Sequence, residues 1–235
     1  MIKYIGSKRK LISELLQVMA ALPEVTSVLD LFSGTARVAS ALRAQGYKVT
    51  ANDHNRYAFT LASCYVAADR GRHAERAAHH VAELNGLPGR PGYFTQTFCE
   101  DARYFQPKNG ARIDAIREAI AERALPPELE SILLVSLMEA ADRVDSTVGV
   151  QMAYLKQWAR RAYNDLELRM PELIDAPPGA AHMLDAAQCA RMGSFDAVYL
   201  DPPYNQHKYL NNYHVWESLV RWDKPEVYGI ARKRV

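Results

Sequence analysis

The stretch DAVYLDPPYNQHKY, residues 196–209, carries an apolar run into an acid, two prolines and an aromatic ring. Read as a buried strand, Val198–Leu200 would deliver Asp201 to the carboxyl edge of a sheet. Pro202 and Pro203 then fix two φ angles and offer carbonyls without competing N–H donors. Tyr204 adds an aromatic face. A rigid carboxylate and carbonyl beside a ring can hold an exocyclic amino group by both of its N–H donors while the attached planar heterocycle stacks. The competing reading is an ordinary Asp-Pro-Pro turn that ends a strand.

Two further constellations bear on that choice. DLFSGTARVA, residues 30–39, reads as strand, small-residue turn and helix start, where backbone N–H groups can approach a ligand and a negative group is favoured. Gly34 by itself could be a structural turn. Asp53 ends the next apolar run about 19 residues after Gly34, where an acid can accept both hydroxyls of a ribose. Asp53 followed by Asn55 could equally cap a helix. All three features together in one sheet favour the chemical reading of DPPY over the turn.

The elements that must position these residues follow from periodicity. Residues 8–22 have helical spacing, with Ser7 as N-cap and Pro23 beyond the end. SVLDLF (27–32), ARVASALRAQ closed by Gly46, and YKVTAND ending at Asp53 make a βαβ unit of a parallel sheet. An Ala-rich helical region from 55 to 84 is broken by NGLPGRPG (85–92), helical patterns follow near 109–124, 127–145 and 151–168, and PELIDAPPG (171–179) breaks the chain again. Strand character returns in AAHML before Asp185 and, after a short helix near 186–192, in FDAVYL. The expected architecture is an α/β, Rossmann-like sheet domain from residues 1–60 and 178–235, with residues 61–177 as a largely helical inserted subdomain. HAERAAHH reads as an exposed helix, not a metal site.

Composition sets the outer bounds. With 235 residues, 49% hydrophobic and 24% charged, the chain can bury a substantial core, and a net charge of +2 decides nothing about partners. Cys64, Cys99 and Cys189 lie far apart without ligand spacing, so neither a metal site nor a disulfide framework is expected, and a reducing cytoplasm fits. The N-terminus lacks an apolar signal core and SILLVSLMEAA is too short to span a bilayer, so no membrane partner is expected.

With these residues in place, the sequence resembles the Dam-like DNA N6-adenine methyltransferases, which use S-adenosyl-L-methionine and carry DPPY. YIGSKRKL (4–11) is similar to the family's N-terminal (W/Y)xGxK motif, DLFSGTARV to its FxGxG motif, NDHN to the acidic motif after strand two, and LDAA to the element before DPPY. ARIDAIREAI, VGVQMAYLKQWA and NNYHVWES resemble regions of the subgroup containing Dam, so the likeness covers nearly the whole chain.

The resemblance implies a class I methyltransferase sheet, S-adenosyl-L-methionine as cofactor, double-stranded DNA as partner, no metal, and a setting in restriction-modification. It implies that Tyr4 and Lys8 contact the cofactor and that Gly6 and Ser7 form the approach turn. Phe32, Ser33, Gly34 and Thr35 would surround its methionine portion, with Asp30 among the cofactor residues. Asp53 would bind the ribose, and Asp185 would lie near the adenine amino group. Asp201, which also borders the cofactor, would act with the Pro202 carbonyl, Pro203 and Tyr204 to hold a target adenine swung out of the duplex. His207, Lys208 and Tyr209 fall where phosphates or base edges would pass, or form a solvated loop. Arg103, Lys108, Arg112, Arg117, Arg143, Lys156, Arg160 and Arg161 in the insert would meet phosphates or guanine edges, or merely solvate helix faces.

Two departures stand out. Ala36 replaces the last glycine of FxGxG, and only 31 residues follow Tyr204, where the family fold has further strands, helices and a closing hairpin. The expectation is a sheet lacking its C-terminal strands: a shortened chain, a split enzyme whose second polypeptide supplies the rest, or a remnant. Alternatives to adenine methylation are transfer to cytosine N4, to an RNA base or to a protein glutamine, and a catalytically silent fragment that binds DNA or a partner subunit.

Overall fold

A computed structural model describes residues 1–203 and 209–235. Tyr204, Asn205, Gln206, His207 and Lys208 lie outside the described residues. The chain divides into two compact units, one of Gly6–Glu75 with Glu172–Tyr204 and the other of Met1–Ile5, Arg76–Pro171 and Asn205–Val235.

The first unit is built on the parallel sheet that the apolar runs predict. Its strands are β1 (Ser27–Asp30), β2 (Lys48–Asn52), β3 (Ala180–His182) and β4 (Ala197–Tyr199), in the order β3-β2-β1-β4. Register sets Asp30 opposite Ala51 on one side and Tyr199 on the other, so the carboxyl ends of β1, β2 and β4 lie side by side. A 3-10 turn (Lys8–Lys10) leads into α1 (Ile12–Ala21). Helix α2 (Arg37–Ala44) follows β1, and α3 (Arg56–Ala62) follows β2 and runs on as a π-helical stretch, Ser63–Ala67. Val28, Val38, Leu42, Val49 and Val66 form one core layer, against which Ile12, Leu15 and Met19 of α1 pack. On the opposite face Leu29, Leu31 and Cys189 meet Phe32, Leu184 and Phe195, beside the short α8 (Ala186–Cys189).

The second face is thinly covered, which corrects one expectation. Val198 and Leu200 are not buried but 48% and 60% exposed. Side chains alternate along a strand, so Ala197 and Tyr199 turn toward the α1/α2 layer and their neighbours turn away. Among the described residues β4 is paired on its β1 side only. The proline-rich return to the sheet, by contrast, is tightly held. Arg43, 1% exposed, donates to the carbonyls of Tyr65, Ala176 and Pro177 at 3.1, 2.7 and 3.0 Å.

Helix α4 (Arg70–Asn85) passes from one unit to the other in sequence. Its HAERAAHH stretch is exposed on one side only: His73 and Ala77 are buried, four residues apart. The second unit continues with α5 (Tyr93–Thr95), extended by a π-helical stretch Gln96–Glu100, then α6 (Pro107–Glu122) and α7 (Pro127–Val144). Both long helices carry proline in their first turn, where the missing N–H costs nothing. Helix α9 (Tyr209–Arg221) and a hairpin of β5 (Val227–Tyr228) and β6 (Lys233–Arg234) complete it. Buried Asp114 on α6 accepts the N–H groups of Gly92, Phe94 and Thr95 at 2.9, 2.9 and 2.8 Å, which fixes the end of the NGLPGRPG loop.

The helix expected over 151–168 does not form; the region holds a single 3-10 turn, Arg160–Tyr163. Its backbone groups are taken by tertiary partners instead. Gln151 N–H donates to the Asn212 carbonyl at 2.8 Å, Leu155 N–H to Ser146 at 2.9 Å, and the Gln151 carbonyl accepts the Tyr104 hydroxyl at 2.7 Å. Apolar spacing alone does not register such competition.

Candidate functional site

In an open parallel sheet, ligands bind beyond the carboxyl ends of the strands where the strand order reverses. Here β1 is followed by β2 and β3 on one side while β4 lies on the other, so that point falls between β1 and β4. The turn after β1 and the DPP segment after β4 flank it. The turn is specified by backbone bonds: Ser33 N–H donates to the Asn52 carbonyl at 2.8 Å and Ala36 N–H to the Ser33 carbonyl at 2.7 Å. Gly34 has φ +52° and Ala36 φ +57°. Left-handed geometry is easy for glycine and costs roughly 1 kcal/mol for alanine, so Ala36 in the FxGxG position holds a glycine-like conformation under mild strain.

Asp53 locks this turn to the end of β2. One carboxylate oxygen accepts Gly34 N–H at 2.9 Å and the other accepts Asn55 N–H at 2.9 Å and its amide side chain at 3.1 Å. Burial pushes its carboxyl above the usual range, against the pull of these donors. The capping reading of Asp53 is met by these bonds, which order the start of α3 and also support the glycine turn. A carboxylate has about four acceptor positions, of which three are used by these bonds.

Asp30 is the unusual group. It is 1% exposed, and neither carboxylate oxygen has a hydrogen-bond partner among the described residues. Burial, reinforced by the like charges of Asp53 and Asp201, pushes its carboxyl up to about 7. The amides of Ala39 and Phe32 pull the other way without reaching hydrogen-bond geometry. The hydroxyl of Ser33 is likewise buried and unpartnered among the described residues. A buried acid with open acceptor positions at a glycine turn suits a cationic N–H donor.

Lys8 and Asp201 meet across this edge, Nζ to Oδ2, at 2.7 Å. Lys8 lies on the 3-10 turn before α1, so the N-terminal motif and DPPY share one ion pair. Gly6, with φ +73°, makes the turn just before it, and Ser7 caps that turn by position without a side-chain bond. Pro202 and Pro203 are exposed beyond Asp201.

The remaining predicted residues have the following described contacts. Tyr4 belongs to the helical unit, where its ring stacks on Tyr213 at 4.6 Å and on Tyr209 at 5.8 Å. Asp185 caps α8 by accepting Ala187 N–H at 2.8 Å. Tyr204, His207 and Lys208 are outside the described residues. Sequence reasoning passed over Asn52, 1% exposed, whose side-chain amide donates to the carbonyls of Leu31 and Leu184 at 3.3 and 3.2 Å and accepts Leu184 N–H at 3.0 Å. A polar residue closing an apolar strand just before Asp53 was the signal for it.

Among the described residues no group of three or more His, Cys, Asp or Glu side chains is arranged to hold a metal ion, and no described helix is long and apolar enough to cross a membrane. Comparison with known proteins supplies the context for this geometry. The sequence model of the D12 class N6 adenine-specific DNA methyltransferases matches residues 4–234. Type II methyltransferase M.NlaIII of Neisseria lactamica is 33% identical over 234 residues, covering 94% of this chain and 69% of the relative. Modification methylase StsI of Streptococcus sanguinis and type II methyltransferase M.FokI of Planomicrobium okeanokoites are each 28% identical over 247 residues. The chain spans 38% of the length of each of these two.

Proposed function

The chain belongs to the D12 class N6 adenine-specific DNA methyltransferase family, and on that premise we propose that it transfers a methyl group from S-adenosyl-L-methionine to N6 of an adenine turned out of duplex DNA. The observation that carries this reading is Asp201 at the carboxyl edge, ion-paired with Lys8 and next in the sheet to the Asp30 and Gly34 end of β1. The unpartnered acceptors of Asp30 and the open position on Asp53 fit an ammonium and one ribose hydroxyl respectively. The bound sulfonium cofactor supplies an electrophilic methyl group.

Asp201 and the Pro202 carbonyl accept the two N6 protons and orient the nitrogen lone pair, while Tyr204 stacks on the base. In the structure the Lys8 ammonium donates to Asp201 Oδ2; N6 would donate to the other carboxylate oxygen. The Asp201 carboxylate would stabilise the positive charge that develops on N6 as it accepts the methyl group, and would take up the N6 proton and pass it to solvent. The unit holding Arg76–Pro171 serves as the region that recognises DNA, in a restriction-modification setting and a reducing cytoplasm.

Tritiated S-adenosyl-L-methionine and unmethylated duplex DNA, followed by hydrolysis to nucleosides, test the reading. Label in N6-methyladenosine is expected; label in cytosine, RNA or protein alone overturns it. A second reading, that transfer requires a further polypeptide laid against β4, is favoured by the exposed Val198 and Leu200 on a strand paired on one side only among the described residues. It predicts label only when that polypeptide is added.

A further inference from the structure

Eight cations in the helical unit suit DNA by their charge, but their surroundings separate them. Arg117 is buried and donates to the Leu219 and Val220 carbonyls at the end of α9, at 2.8 and 3.1 Å. Lys108 pairs with Asp165 at 2.6 Å, and Arg112 donates to the carbonyls of Leu87 and Asn85. Arg143 donates to the Glu167 carbonyl at 2.7 Å, and Arg161 is held by Asp145. Arg103 donates to the Lys156 carbonyl at 2.6 Å and lies over the Trp158 ring. These six brace the unit. The side chains of Lys156 and Arg160 are exposed and make no ion pair or hydrogen bond with any other described residue.

Lys156 belongs to the loop between α7 and the Arg160–Tyr163 turn and Arg160 opens that turn; the loop also exposes Gln157, Met152 and Val148, the last two at 43% and 76%. The base of the loop is fixed. Asp145, 2% exposed, accepts Lys3 Nζ at 3.0 Å and Arg161 Nη2 at 2.7 Å. Ser146 bonds Tyr104, Leu155 and Ala159 through its N–H, carbonyl and hydroxyl, at 2.7, 2.9 and 3.0 Å. The buried Gln151 side chain accepts Val215 N–H at 3.0 Å. A backbone ordered in this way loses little entropy when its exposed side chains engage a partner.

We propose that residues 148–160 form the DNA-contacting surface of this unit, with Lys156 and Arg160 on phosphates and Gln157 on a base edge, and that α6 and α7 are its scaffold. This rests on the proposed function, which makes duplex DNA the substrate. Exposed cations supply charge complementarity to phosphates, an unengaged amide can bond adenine N6 and N7 as a pair, and apolar side chains such as Met152 can wedge between base steps.

Duplex binding measured against salt for the wild-type chain, K156Q/R160Q and, as a control, K108Q/R112Q on α6 tests it. The slope of log affinity against log salt should fall by about one for each loop cation, so by about two in the double variant, and stay unchanged in the control. Q157A should narrow the preference for the target site over a singly substituted one by about 10- to 100-fold at unaltered non-specific affinity. Cofactor binding by every variant reports that the fold is retained. If the wild type methylates duplex DNA while the loop variant keeps its slope, or the α6 variant loses it, the loop assignment fails alone. A wild type that methylates RNA or an acidic protein and binds no duplex overturns the proposed function and this surface's partner together.

Discussion

Lys8 Nζ lies 2.7 Å from Asp201 Oδ2, so the N-terminal YIGSK motif and the DPPY motif, nearly two hundred residues apart in sequence, share a charge pair at one sheet edge. The pair fixes the carboxylate that the proposed reaction needs. Asp201→Ala should lower kcat by at least about 100-fold, and Asp201→Asn by a similar factor, because the charge and not only the oxygen opposes the charge developing on N6. Duplex binding should persist within about threefold, measured on the same protein by fluorescence anisotropy. Lys8→Met should reduce kcat/KM by about 10-fold or more through loss of orientation. A variant as active as the wild type removes Lys8 from the mechanism.

Asp30 gives stability a pH slope of known sign. Its carboxyl sits at about 7 in the folded chain against an ordinary 3.8, so between those values the folded state keeps a proton that the unfolded state has released. Stability therefore falls as pH rises from about 4 to about 7, by at most about 1.4 kcal/mol per pH unit from this group. Denaturant titrations across that range should show the slope, and Asp30→Asn should flatten it. An unchanged slope in Asp30→Asn assigns it to other groups.

Asp53→Ala strands the N–H groups of Gly34 and Asn55 and should cost about 2–4 kcal/mol in denaturant unfolding. It should also raise the KM for the methyl donor about 10-fold or more. Asp53→Asn keeps one acceptor oxygen but turns an NH2 donor toward the N–H groups on its other side, so it should still lose about half or more of what Asp53→Ala loses while the KM effect remains. An Asp53→Asn variant as stable as the wild type would show that the two-sided acceptance contributes nothing.

The two faces of the sheet can be told apart by substitution. Val198→Ser on β4 and Leu200→Ser just after it, both at exposed positions, should change unfolding free energy by less than about 0.5 kcal/mol, whereas Leu29→Ala in the buried β1 should cost about 2–4 kcal/mol. Calorimetry or urea melts decide it, and comparable losses at Leu200 and Leu29 would show that the outer face of β4 is covered in solution.

The sheet was legible because β1, β2 and β4 are short apolar runs that each end in chemistry, at Asp30, at Asp53 and at Asp201. The long helices α6 and α7 were legible from apolar spacing, with ends displaced by only a few residues. The segment 151–168 was not, because Gln151 and Leu155 bond to residues that periodicity does not see. The cations of the insert were misjudged for the same reason. Arg117 looks like a solvent-facing helix residue until the carbonyls of Leu219 and Val220, a hundred positions away, are brought to it. Tyr4, four residues from Lys8 in sequence, packs with Tyr213 within the helical unit, a contact that its motif does not announce.

Arg43 fastens the carbonyl of Tyr65, in the first segment of the sheet unit, to those of Ala176 and Pro177, in the second. The intervening excursion is thus clasped on both sides within the sheet unit. Its length is then almost a matter of indifference, since doubling a loop whose ends are already joined costs only about 0.6 kcal/mol. A change of length between Arg76 and Pro171 should therefore leave the Arg43 bonds in place.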